Sequence, residues 1–361
     1  MRSNGARMRY LDGLRGVAIT AVVLWHFLGP SEARILPYGN RYADVPILSS
    51  GWMGVELFFL ISGYVIFLTV EKCSGVFDFM VRRWLRLFPA MLIATVLLFA
   101  MDRVARMPGP HGPANVIDIL PGIALIDPSI WQALLRMPVR SLSGSFWTLY
   151  TEVAFYIVFS TVYFRVGWRA AIGVLLAASI IPRCADNFPQ IDVLHLSGPM
   201  HRLNIQYFGW FASGALFYKA WRDGDRVIFT AAVAAGLIAA ATFHNSFGTV
   251  LQQVQMAIIV ALFAVIQVSQ PIQRLLSTRA IVFIGNISYP LYLIHANVGL
   301  PLIVWVAPLI TPLPPEVAAC LALMVVIIAA WLIQRFGEPW VKAQLVPLTD
   351  RARVFAKLVL A

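Results

Sequence analysis

Apolar runs of about twenty residues recur along this chain, separated by short polar or proline- and glycine-rich intervals. Ten can be counted: 12–29, 52–70, 85–101, 145–164, 169–183, 203–220, 227–243, 249–269, 281–304 and 317–335. A helix rises ~1.5 Å per residue, so runs of this length match a hydrocarbon core of ~30 Å. The chain lacks the alternating ten-residue segments of a membrane barrel. The pattern predicts an all-α, polytopic membrane protein with about ten transmembrane helices. The fifth run is short, and the apolar stretch 114–126 fits either an interfacial or a re-entrant segment. Residues 1–345 read as one transmembrane domain and 346–361 as a short basic cytoplasmic tail.

Composition sharpens this picture. Of 361 residues 60% are hydrophobic and only 12% charged, with a mean hydropathy of +0.77. Soluble domains are roughly a quarter charged. The net charge of +11 invites a nucleic-acid partner. None is expected, because the basic residues sit beside apolar runs and serve as topology signals. With the N-terminus inside, 20 lysines and arginines fall on the cytoplasmic side and 8 outside. That split predicts both termini cytoplasmic. The proline-rich loop 306–316 carries no lysine or arginine, as an outer loop should. The 102–144 loop is also outer, rich in proline and glycine, and long enough to expect a role for it. Cys73, Cys184 and Cys320 fall in different compartments and give no disulfide framework. No small-x-small cleavage site closes the first run, which reads as a retained helix.

The chemistry lies in polar groups within these runs. Arg15 and His26 are eleven residues apart, about 20° from three full helical turns, so they share one stripe ~16 Å long. Asp12 lies on the same stripe. A titratable group at such depth is expensive and marks a functional site by default, the alternative being a histidine satisfied by a neighbouring helix. Glu56 stands among phenylalanines and leucines about one turn inside the second run, where it needs a partner or a proton, unless it sits at the headgroup level. Gly51, Gly54 and Gly63 in that run would admit close helix neighbours. Arg82, Arg83 and Arg86 lie at the start of the third run at i,i+3 and i,i+4 spacing. Guanidinium groups there suit phosphates, and they also suit a positive-inside anchor on anionic lipid. Thr148, Glu152 and Tyr156 form a polar stripe in the fourth run, and Ser288, Tyr292 and His295 form another in the ninth. Two histidines and two glutamates thus fall in the outer half of the membrane, with four arginines at its inner face. No metal centre and no permanently bound cofactor is expected.

Taken together these stretches resemble the membrane-bound acyltransferase-3 family, the O-acyltransferases of bacterial surface polysaccharides. The resemblance is carried by LDGLRG with Arg15 and His26, GVELFFLISGY from Gly54 to Tyr64, and RRWLRLFP with Arg83 and Arg86. It continues through SFWTLYTEVAFY with Trp147, Glu152 and Tyr156, ISYPLYLIH with Ser288, Tyr292 and His295, and a closing GEP at Gly337 to Pro339. These follow the family's order over nearly the whole chain. Two departures are mild: Glu56 stands where many members have aspartate, and TLYTE replaces the commoner SLxxE. Some relatives add an esterase-like domain that is absent here, so only the membrane domain's activity carries over.

The resemblance implies an enzyme of the bacterial cytoplasmic (inner) membrane. It would move an acyl group, usually acetyl, from cytoplasmic acyl-CoA to a hydroxyl of a glycan or glycolipid on the far side. Arg15, Arg82, Arg83 and Arg86 would hold the donor phosphates. His26, Glu152 and Glu56 would be catalytic. Asp12, Trp147, Tyr156, Ser288, Tyr292 and His295 would support them or line the acceptor side. His26 would act as general base or as a transient acyl carrier. A proton-coupled transporter or flippase of a glycan or lipid-linked intermediate is the alternative from a different class.

Overall fold

Each predicted run becomes a helix. The structure is a computed structural model that describes residues 4–105, 113–188, 190, 197–242 and 249–360. Arg2 and Arg106, used in the charge pattern, and Ala361 of the predicted tail lie outside the described residues. The main helices are α1 (Asn4–Leu28), α2 (Gly54–Val70), α3 (Val76–Ala105), α4 (Trp147–Val166), α5 (Trp168–Asn187) and α6 (Phe208–Asp223). They continue with α7 (Arg226–Thr242), α8 (Val250–Val268), α9 (Arg279–Val306), α10 (Glu316–Leu332) and α11 (Glu338–Leu360). No strand occurs among the described residues.

Among the described residues seven segments are long and apolar enough to cross a membrane, against the ten expected: those built on α1, α2, α3, α5, α8, α9 and α10. The other three expected spans form α4, α6 and α7. Helices α6 and α7 have 16 and 17 residues, and α4 carries Thr148, Thr151 and Glu152 among its apolar residues. The fifth run is longer than its pattern suggested, because α5 continues through Pro182 to 20 residues. The backbone stays helical through the predicted tail, since α11 runs to Leu360.

The chain forms two compact units. Met1–Leu14, Val55–Arg82 and Thr148–Thr278 make up the first; Arg15–Gly54, Arg83–Trp147 and Arg279–Ala361 make up the second.

In the first unit α2 and α6 meet backbone to backbone. A Cβ at Gly63 would land on the Phe211 carbonyl, and one at Gly214 on the Leu60 carbonyl. This reciprocal contact lets the helices approach closely, as membrane helices do through small residues. Around it Phe59, Phe155 and Phe211 stack, with the Phe155 and Phe211 rings 4.1 Å apart. At the far end of α2, Glu71 accepts from the Tyr218 hydroxyl at 2.8 Å and pairs with Arg222.

In the second unit Gly51 and Gly54 face the Ala21 and Ala18 carbonyls of α1, so all three glycines singled out in the sequence sit at close approaches. The 114–126 stretch is no span. It forms two short turns, Val116–Ile119 and Leu120–Ala124. Gly122 packs on the buried Thr95 of α3, ten residues before that helix ends. Buried Asp118 organises the loop, accepting from the Asn115 N–H at 2.9 Å and the Arg140 N–H at 2.8 Å and pairing with the Arg140 guanidinium.

Gly63→Val should separate α2 from α6, and overpacking costs ~1–3 kcal/mol. The thermal midpoint of purified protein should fall clearly, whereas Gly75→Val, at a position open to space, should leave it in place. Equal midpoints for both variants would contradict the backbone contact.

Candidate functional site

Helix α1 carries Arg15 and His26 on one face of an unbroken helix. Gly29 ends it, its N–H donating to the Leu24 and Trp25 carbonyls. Pro30, which suits a first helical position, starts a 3₁₀ turn over Pro30–Glu32. The turn folds back and brings Glu32 Oε1 to 3.6 Å from His26 Nδ1. That nitrogen is buried without a hydrogen bond among the described residues, while the His26 side chain as a whole stays 19% exposed.

On another side of His26 lies His295 of α9, the ring centroids 5.0 Å apart. His295 is fully buried. Its Nδ1 lies 2.8 Å from the Tyr292 carbonyl. A carbonyl only accepts, so Nδ1 carries the proton and Nε2 keeps its lone pair. That Nε2 is buried without a partner among the described residues. Ser288 and Tyr292 of the same helix are buried, the Tyr292 ring 5.8 Å from that of His295. Asn297 ties α9 to the loop before α4 through the Leu142 carbonyl at 3.0 Å.

Elsewhere in the second unit, Arg83 and Arg86 lie about two to three turns into α3. Sequence reading placed them at a helix start; the helix begins at Val76, because the preceding apolar residues join it with Asp78 in its first turn. Arg86 pairs with Glu338 at 3.9 Å and lies over the Tyr289 ring at 5.6 Å from its centroid. Arg82, in the first unit, is exposed and pairs with Asp78 at 3.1 Å. Arg15 is half-buried.

The first unit builds a separate group. Glu152 accepts from Ser62 Oγ at 2.8 Å and from the Tyr156 hydroxyl through the same oxygen. The Phe79 ring backs Tyr156 at 5.9 Å. Glu56 is fully enclosed, its Oε2 without a partner among the described residues. The protein itself encloses the Glu56 side chain. Asp12 is half-buried in the first unit, and Trp147 is half-buried at the end of the second unit's middle segment.

The structure therefore joins His26 with His295, His295 with Tyr292, and Glu152 with Tyr156. Sequence reasoning missed Glu32, Ser62 and Glu338. The Gly-Pro pair after the first run was the available signal for Glu32, since it ends a helix and starts a turn. Ser62 sits six residues after Glu56, and no sequence spacing links it to Glu152.

The model of the acyltransferase domain family matches residues 8–335. Among curated relatives, an acyltransferase of Streptomyces mycarofaciens is 27% identical over 57% of this chain and 52% of its own length. A protein of Staphylococcus aureus (strain COL) named "putative O-acetyltransferase" is 27% identical over 43% of this chain and 25% of its own length. The matches thus span about half of the first relative and a quarter of the second. No solved structure matches the chain significantly.

Tyr38 closes the C-terminal end of α1 by donating its hydroxyl to the Phe27 carbonyl, next to His26. Burial, and then the nearby Glu316 carboxylate, push its phenol above the ordinary value of 10.0. A raised acid contributes its stability in full below the unfolded value and loses it only as pH climbs through the folded one. Tyr38→Phe should therefore lower the thermal midpoint by the same amount, ~1 kcal/mol in stability, at every pH from 6 to 9. A difference that fades within that range would contradict the clamp.

Proposed function

This chain belongs to the acyltransferase family whose domain it matches, and from that premise we propose that it is a multi-pass membrane O-acyltransferase of the bacterial inner membrane. Its donor is cytoplasmic acyl-CoA, with acetyl as the acyl group that the staphylococcal relative's name favours. Its acceptor is a hydroxyl of an exported glycan or glycolipid. Both termini face the cytoplasm in this reading.

The observation that carries it is the setting of His26. One ring nitrogen faces a carboxylate and the ring abuts a second imidazole, and all of this lies at the far end of a helix stripe that begins with Arg15. An extended pantetheine arm spans ~15–20 Å if each amide-sized unit covers ~3.5 Å. The Arg15-to-His26 stripe is of the same length, ~16 Å. A donor whose phosphates rest among Arg15, Arg83 and Arg86 of the second unit would present its thioester at His26.

With Glu32 on Nδ1, the reacting nitrogen is Nε2. As a base it takes the acceptor's hydroxyl proton while the oxygen attacks the acyl carbon. The C–S bond then breaks, and the proton passes to the departing thiolate. As a carrier, Nε2 itself attacks the acyl carbon and coenzyme A leaves as its thiolate; the acceptor hydroxyl oxygen then displaces the imidazole, and the freed Nε2 takes up the hydroxyl proton. Glu32 favours the charged imidazole formed on either route, the role a carboxylate plays behind histidine in hydrolytic triads. His295 contributes a second lone pair at the same place. Glu152, held by Ser62 and Tyr156, and the enclosed Glu56 serve as the further catalytic carboxylates. Asp12, Trp147, Ser288 and Tyr292 support the two groups.

Purified protein in proteoliposomes with labelled acetyl-CoA and a hydroxyl acceptor tests this. Base or nucleophile loss costs ~10²–10⁴-fold, so His26→Ala should abolish turnover while the protein still inserts. Glu32→Gln should lose about tenfold, as expected for a positioning carboxylate worth ~1.4 kcal/mol in the transition state. Full activity in His26→Ala would overturn the site. Movement of a glycan with no consumption of acetyl-CoA would establish the transporter reading instead.

A further inference from the structure

The closing GEP at Gly337 to Pro339 lies just beyond the matched residues 8–335, and no role followed from the sequence. Its three residues do three physical tasks. Pro339 lacks an N–H, so the helical ladder cannot run through it normally. The backbone answers with a π-helical turn over Ile333–Gly337, in which the Glu338 N–H donates to the Ile333 carbonyl. Such turns recur at functional sites because they re-aim side chains. At Gly337 a Cβ would come within 2.6 Å of the tip of the Ile93 side chain of α3, so glycine lets the bulged segment lie this close without displacing that tip. Glu338, the first residue after the turn, then points its carboxylate at α3.

Two cations meet that carboxylate at one oxygen. Arg86 Nη1 is 3.9 Å and Lys342 Nζ is 3.4 Å from Glu338 Oε2. The two nitrogens are therefore within about 8 Å of each other. The carboxylate lies beneath them, 7% exposed, while the arginine and lysine side chains are 42% and 36% exposed. Tyr289 floors the guanidinium and is itself fixed by donating its hydroxyl to the Leu87 carbonyl at 2.9 Å. The group thus presents two positive heads over one enclosed negative charge. The single carboxylate offsets half of their charge and keeps them from drifting apart. Charge-assisted hydrogen bonds of ~2.8 Å let one phosphate bridge two cations at such a spacing.

We infer that Arg86 and Lys342, yoked by Glu338, form a two-cation clamp for a phosphate group of the donor, with Glu338 as its positioning residue. This rests on the acyl-CoA reading above and adds Lys342, from the far end of the chain, to the donor site. The same chemistry would suit an anionic lipid headgroup, so the source of the phosphate has to be separated experimentally.

The test is binding of acetyl-CoA to the full chain in nanodiscs of neutral lipid, repeated with phosphatidylglycerol included. Wild type is compared with Lys342→Ala, Lys342→Arg, Glu338→Gln and Glu338→Asp, each first shown to be monodisperse. Lys342→Ala should weaken acetyl-CoA binding about tenfold in neutral lipid, and Lys342→Arg should restore most of it. Glu338→Gln removes a negative charge, so a carboxylate that merely repelled the donor would give tighter binding on substitution. The clamp predicts weaker binding, with rescue by Glu338→Asp. Unchanged or tighter binding in Lys342→Ala and Glu338→Gln, beside a wild type that binds, overturns the clamp alone. A Lys342 effect seen only with phosphatidylglycerol assigns the cations to lipid and also overturns it. A wild type that binds no acetyl-CoA overturns the donor reading and the clamp with it.

Discussion

The contact between the His26 and His295 rings constrains much of the second unit. Two imidazoles enclosed by apolar helices must each place a proton somewhere, and an unsatisfied polar group there costs ~1–3 kcal/mol. His295 meets the requirement within its own helix through the Tyr292 carbonyl. His26 has no such partner inside α1, and the chain supplies Glu32 from the turn that follows. Holding that turn requires Gly29 at the helix end, Pro30 after it, and Tyr38 on the Phe27 carbonyl. The loop after α1 thus places one carboxylate beside one imidazole.

The arginine cluster of α3 obeys a similar constraint with charge reversed. Arginines entering an apolar helix repel one another unless carboxylates intervene. Arg82 finds Asp78 on its own helix, where the pairing is exposed and worth little. Arg86 finds Glu338 just after the π turn Ile333–Gly337. A carboxylate that offsets half of a pair of cations leaves positive charge over while fixing where it sits. In the proposed reading the leftover charge meets the polyanionic donor.

Helix positions, the glycine contacts and the histidine stripe were legible in the sequence because each depends on local periodicity. Arg15 and His26 share a face by helical geometry alone, and Gly51, Gly54 and Gly63 announced close approaches that exist. The number of spans was less legible: α6 and α7 are apolar but short, and periodicity does not fix how a short helix ends. Glu32 was hidden because its position depends on a loop turning back. Ser62 and Glu338 were hidden because their partners, Glu152 and Arg86, are 90 and 252 residues away in the chain. Contacts of that range follow from packing, which no spacing rule records.

The most direct measurement is equilibrium binding of acetyl-CoA to purified wild type and to the Arg83→Ala/Arg86→Ala double variant, at low and moderate salt. The expected result is micromolar binding by wild type, weakened by salt because the contacts are charged, and its loss in the double variant. Equal binding by both proteins, or none by either, would contradict a donor site at the arginine face and reduce those residues to topology anchors.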